Sequence, residues 1–101
     1  MDLLINSEDY EKIAEGAAGK EHNYCIMCSI RDYDDSSSCI ISKYLNPDFF
    51  LLFPKIRVII SEHGSRLSHL AILAAEHGKT IIICPDITDK IQKTGKLSFQ
   101  N

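Results

Sequence analysis

No part of the sequence is long and apolar enough to span a bilayer: uninterrupted apolar runs such as residues 49–53 stop far short of the roughly 20 residues a membrane helix needs. Excess positive charge is missing too. Eleven Lys and Arg stand against 14 Asp and Glu, for a net charge of −3, and the cations are scattered, which argues against nucleic acid as a partner. Asp2 precedes a short apolar patch with no cationic flank, so the pattern of a secretory signal is absent and the cytoplasm is the expected compartment. Nor is there a low-complexity tract, an internal repeat, a linker or a glycine-rich nucleotide loop. The 101 residues are expected to form one domain, 1–101, with a real core and no room for a separate nucleotide-binding or barrel domain.

A metal-ligand framework is also lacking. Cys25 and Cys28 have a CxxC spacing, but Cys39 and Cys84 stand alone without a second close pair. Residues 23–30 read as a strand, on which positions three apart face opposite ways, so all four thiols are expected to be reduced, buried and metal-free. His63, His69 and His77 do not have the tight spacing of a three-ligand site. Asp34 and Asp35, in a charged and serine-rich loop over 31–38, read as solvated carboxylates.

What is present alternates between strand and helix signals. Ser7 is expected to cap a short helix with Tyr10, Ile13, Ala14 and Ala17 on its apolar stripe and Gly16 or Gly19 at its end. Cys39, Ile40 and Ile41 read as a short strand. Asn46 and Pro47 suit the cap and first position of a brief helix over 48–53, stopped by Pro54. The β-branched run 56–60 predicts a buried parallel strand, and Leu67, Leu70, Ala71 and Ala74 predict a helix that Gly78 closes. Residues 80–84 form the next strand of a βαβ unit. Pro85 and Asp86 open a short helix to about Lys93, and Thr94, Gly95 and Lys96 turn the chain into a last strand at 97–99.

In an open α/β sheet, ligands meet the loops beyond the carboxyl ends of the strands. The loop after strand 56–60 holds Glu62, His63, Gly64, Ser65, Arg66, Ser68 and His69, and it ends at a helix N-terminus whose free amides favour an anion. Neutral imidazole is a good nucleophile toward phosphorus near neutral pH. On spacing alone His69 reads first as a surface or cap-proximal histidine, because serine-flanked histidines near helix starts are common. Ser68 would bond a phosphoryl group or cap the helix, and Arg66 would neutralise phosphate, steer an acidic partner or stay solvated.

The run ISEHGSRLSHLAILAAEHGKTIIICPD over residues 60–86 resembles the swivelling phosphohistidine domain of phosphoenolpyruvate (PEP)-utilising enzymes. That family includes pyruvate phosphate dikinase, PEP synthase, enzyme I of the sugar phosphotransferase system and rifampin phosphotransferase. On its pattern GGxTSHxAIxARExGxP fall Gly64, Ser68, His69, Ala71, Ile72, Ala74, Glu76 and Gly78, and His69 stands where the family carries its phosphorylated histidine. Leu67, Ser65, Ala75 and Thr80 replace the family's threonine, second glycine, arginine and proline. The likeness spans about residues 38–99, and residues 1–37 match weakly.

The resemblance implies an α/β domain of β/β/α swivelling type, a central mixed sheet with flanking helices. It implies a phosphoryl carrier that is not catalytic alone, with His69 phosphorylated and Gly64, Ser65, Arg66 and Ser68 supporting the phosphate. It further implies no cofactor on the domain itself, and ATP-binding or PEP/pyruvate-binding partner domains, in cis or trans, that use ATP or PEP with Mg. The alternative is an inactive descendant that keeps the fold as a protein-binding or regulatory module, for which Ala75 is the main sequence feature.

Overall fold

β-branched runs with side chains buried on both faces make central parallel strands, and three of them lie one after another in this chain. A computed structural model describes residues 2–16 and 19–100. Its strands are Asp2–Asn6 (β1), Glu11–Ala14 (β2), Glu21–Ile26 (β3), Cys39–Ser42 (β4), Val58–Ser61 (β5), Thr80–Ile83 (β6) and Thr94–Gln100 (β7). They form one mixed sheet in the order β1-β7-β3-β4-β5-β6-β2. Strands β3, β4, β5 and β6 run parallel, while β7 and β2 pair antiparallel to β3 and β6.

The register aligns the core. Cys25, Ile40, Ile59 and Ile81 lie side by side across four strands, with Ala14 of β2 against Ile81. This face packs on Leu70, Ala71 and Ala74 of helix His69–Glu76 (α1) and on Phe49, Leu52 and Phe53. The opposite face collects Tyr24, Cys39, Ile41, Val58, Ile60 and Ile82 against Ile5, Ile87 and Leu97. Each fully buried Ile contributes about 1.5–3 kcal/mol relative to exposure, so the Ile rows of β4, β5 and β6 are the main source of cohesion.

Several expectations are corrected. The helix expected from Ser7 is absent: a 3-10 turn, Ser7–Asp9, separates β1 from β2. The adjacent burial of Ile13 and Ala14, which imitates a helical stripe, comes from a register shift between Lys12 and Ala14 that turns both inward. Ala17 lies outside the described residues. Gly16 ends no helix; a Cβ there would lie 1.9 Å from the Gly78 carbonyl oxygen, so only glycine permits this approach.

The strand expected over 23–30 stops at Ile26, because the amides of Cys28 and Ser29 turn to the Asp32 carboxylate at 2.8 and 3.0 Å. Asn46 caps as expected, accepting from the Asp48 amide at 2.9 Å, but the helix it opens is a 3-10 helix, Pro47–Leu52. After Asp86 only the 3-10 turn Ile87–Asp89 forms. Among the described residues α1 is therefore the sole α-helix, and the flanking layer is mostly 3-10 turns. Thr94, Gly95 and Lys96 are not a turn; they begin β7 and pair with Cys25, Tyr24 and Asn23. No helix among the described residues is long and apolar enough to cross a membrane.

Candidate functional site

Strands β4 and β5 end in paired serines, and both leave the sheet the same way. The Ser42 hydroxyl donates to the Tyr44 carbonyl at 2.7 Å, and the Ser61 hydroxyl donates to the His63 carbonyl at 2.6 Å. The amides of Glu62 and His63 then donate to the carbonyls of Ser42 and Lys43, each at 3.0 Å, so the loop after β5 is stitched to the exit of β4. The ring of Tyr44 stacks on His63 with centroids 5.3 Å apart.

Glu62 is 7% exposed. Its Oε2 accepts both from the Thr88 hydroxyl, at 2.5 Å, and from the Thr88 amide, at 2.9 Å. The hydroxyl bond first, then the amide and the charges of Lys43 and His63, hold the carboxyl below its ordinary value against the opposing effect of burial.

Each later residue of the loop has a local role. A Cβ on Gly64 would come within 2.6 Å of Leu45 Cδ1 and 3.0 Å of Ile83 Cδ1, so glycine lets the backbone lie close over those side chains. Ser65 makes the turn into the helix, its hydroxyl accepting from the Leu67 amide at 3.0 Å and its carbonyl from the Ser68 amide at 3.1 Å. Arg66 reaches to β2, where Nη2 donates to the Lys12 carbonyl at 3.1 Å and Nε lies 4.0 Å from Glu11 Oε1. Leu67 precedes the helix and is 88% exposed, not part of its buried stripe as its spacing predicts.

Ser68 is the N-cap of α1, and its hydroxyl accepts from the Ala71 amide at 3.1 Å. His69 is the first helical residue, and its side chain is exposed. Among the described residues the amides of His69 and Leu70 have no hydrogen-bond partner, so two free N–H groups and the positive end of the helix dipole lie at the helix start that His69 occupies. At the other end, Gly78 adopts φ +70° and the Lys79 amide donates to the Ala74 carbonyl at 2.8 Å, a Schellman closure. The helix closes at Gly78 as expected, and of the two roles open to Ser68 it takes that of the cap, which leaves Leu67 outside the helix.

His77 caps that far end, edge-on to Phe50 and Phe53 at 5.4 and 5.8 Å. It is thus a helix length away from His69, and among the described residues no group of three or more His, Cys, Asp or Glu converges. Cys25, Cys39 and Cys84 are buried as expected, but Cys28, just past the end of β3, is exposed. Burial pushes the Cys39 thiol well above its ordinary value and raises that of Cys84.

Two of the substitutions in the motif region gain a local account. The Thr80 amide donates to the Arg57 carbonyl at 3.0 Å, and the Thr80 hydroxyl bridges the amide and carbonyl of Gly16 at 3.0 and 3.2 Å, neither of which a proline would do. Ala75 lies on the exposed side of α1. Sequence reasoning missed Lys43, Tyr44 and Thr88. The available signal was positional: Lys43 and Tyr44 follow β4 as Glu62 and His63 follow β5, and Thr88 lies just after β6. Tyr44 and Thr88 also line a cleft of about 510 Å³ with Met27, Cys28, Lys43 and Phe49, a cleft that His69 does not line.

No curated protein matches the chain. Residues 35–98, more than half of it and including the whole loop and α1, match the model of the PEP-utilising enzyme mobile domain, and the chain therefore belongs to the family of PEP-utilising enzyme mobile domains.

Proposed function

We propose that the chain is a phosphoryl-carrier domain of the swivelling type in a PEP-utilising phosphotransferase or dikinase, with His69 as the group that is phosphorylated. The observation that carries this reading is an exposed imidazole on the first residue of a capped helix, beside two unpaired amides. One ring nitrogen attacks the phosphorus of the donor, the bond from phosphorus to the leaving oxygen breaks, and the other ring nitrogen keeps its proton. The transferred group needs positioning and charge stabilisation more than covalent help. The helix N-terminus supplies part of that stabilisation, Ser68 and Ser65 fix the backbone around it, and Gly64 allows close approach. In the present geometry Arg66 is engaged with β2; on swinging free it would supply a cation to the phosphate or to an acidic partner.

The domain has no donor site of its own in this reading, so an ATP-binding or PEP/pyruvate-binding partner domain, in cis or trans and with Mg, charges His69 and a second site discharges it. The test is labelling with ATP carrying radioactive phosphorus in both its β- and γ-phosphates, or with radiolabelled PEP, in the presence of such a partner. His69→Ala should abolish the label, while Ser68→Ala and Arg66→Ala should only reduce it. An unlabelled wild-type chain alongside a labelled homologue would overturn the reading. Ala75 favours the second reading, an inactive binding module, because it removes a guanidinium from α1. Gain of label by Ala75→Arg in an otherwise silent chain would mark a decayed carrier, and no label on either protein would favour the binding module.

A further inference from the structure

We infer that Glu62 and Thr88 form a clamp that positions the His69 loop, making both of them positioning residues for phosphoryl transfer; this inference rests on the carrier reading. Glu62 is the sole buried carboxylate among the described residues, and a charged group is buried only where its partners repay the lost hydration. Here one oxygen takes both the amide and the hydroxyl of Thr88, so the bond fixes the backbone of the 3-10 turn Ile87–Asp89 as well as a side chain. Glu62 is the first residue after β5, and Thr88 follows β6, the neighbouring strand in the sheet. The clamp therefore closes the carboxyl edge of the sheet across the two strands that α1 connects.

Neighbouring contacts show what the clamp holds in place. The loop is already tied to β4 through the Lys43 carbonyl and the Tyr44–His63 stack, and to β2 through Arg66. Both the Arg66 contact and the stack involve exposed side chains, and such contacts are weak and exchange readily. The clamp starts from a buried carboxylate, next to the equally buried backbone bond from the Glu62 amide to the Ser42 carbonyl. It sets the start of the path over residues 62–69 that ends at His69, and the Thr88 bonds lower the proton affinity of the carboxylate.

The experiment uses a PEP- or ATP-using partner domain as the donor to His69, with potassium phosphoramidate as a small donor for comparison. Its phosphorus–nitrogen bond breaks, ammonia leaves, and a new bond forms from phosphorus to an imidazole nitrogen. Peptide mass spectrometry follows His69, with His77 at the far end of the helix as an internal reference. Thr88→Val removes the hydroxyl and keeps the shape; with the partner it should slow labelling of His69 relative to His77 by up to about a hundredfold, the order of loss that misplacement by about 1 Å can produce, whereas phosphoramidate, which diffuses freely to either exposed ring, should label it as in the wild type. Thr88→Ser should restore the wild-type ratio. Glu62→Ala removes the acceptor and serves as a second break of the same pair, and thermal melting of all four proteins shows which variants remain folded. With the partner, a His69-to-His77 ratio unchanged in both folded variants overturns the clamp and leaves the carrier reading standing. A wild-type His69 that the partner labels no faster than His77 overturns the carrier reading itself.

Discussion

Position 68 allows the stability of the helix and the chemistry of His69 to be moved in opposite directions. Ser68→Ala removes the acceptor that the Ala71 amide uses at 3.1 Å and leaves a third free N–H at the start of an eight-residue helix. Loss of such a cap costs about 1 kcal/mol. A domain of this length loses roughly 4–8 °C in Tm per kcal/mol, so Ser68→Ala should melt about 4–8 °C lower. Ser68→Asp keeps an acceptor in the same place and adds a negative charge that the helix dipole favours by about 0.3–1 kcal/mol, so its Tm should equal or exceed that of the wild type.

The same carboxylate repels a phosphoryl group on the adjacent imidazole. Two unit charges ~4 Å apart repel by about 1 kcal/mol in water and about 4 kcal/mol at an effective dielectric near 20, which corresponds to a loss of label of about fivefold at the least. Calorimetry and labelling by a charged partner, run on the three proteins together, measure both effects. A Ser68→Asp protein that melts as low as Ser68→Ala would refute the cap, and one that labels like wild type would refute an anion at this helix terminus.

Three further outcomes follow from other parts of the molecule. Thr80→Val should lose about 1–3 kcal/mol in denaturant unfolding, because the Gly16 amide at the tight Gly16–Gly78 approach is left without its acceptor, while Thr80→Ser should lose much less. Glu62 has a depressed folded-state pKa, so its contribution to stability is present above the usual carboxylate range and is lost as pH falls through the folded value; Asp32 and Asp34 act in the same direction, and the difference between wild-type and Glu62→Gln stability curves from about pH 7 to about pH 3 should isolate the Glu62 share as a gap that closes toward acid. Iodoacetamide should alkylate exposed Cys28 first and fully buried Cys39 last, as read by intact mass, and elemental analysis should find no stoichiometric zinc; zinc that disappears with Cys25→Ser and Cys28→Ser would show the CxxC spacing to be a ligand pair.

The parts of the fold that were legible in the sequence are those whose signals are local. β5, α1 and β6 are marked by consecutive β-branched residues, by Ser68 before the helix and by Gly78 after it, and each signal acts within a few residues of itself. β1 and β2 were not legible, because their pairing with β7 and β6 joins segments some seventy to ninety residues apart and their own residues are short and mixed in character. The register shift in β2 then gave Ile13 and Ala14 the look of a helical face. Asn46 and Pro47 mark a helix start, but the choice between α and 3-10 depends on Phe49, Leu52 and Phe53 finding the core within six residues.

The candidate site divides the same way. His69 and its cap are contiguous and were readable, whereas Thr88 joins Glu62 across 26 positions and Arg66 joins Lys12 across 54, contacts that only the assembled sheet creates.

Mapping the modified residue shows whether the phosphoryl group resides on His69. The domain, charged by a partner supplied with ATP or PEP, is digested at alkaline pH and sequenced by electron-transfer mass spectrometry, with a parallel sample held in acid. Phosphate is expected on His69 alone, lost in acid and kept in base as a phosphoramidate requires, with no label on the domain without the partner. Phosphate on another residue, or an acid-stable label that survives His69→Ala, would contradict His69 as the carrier.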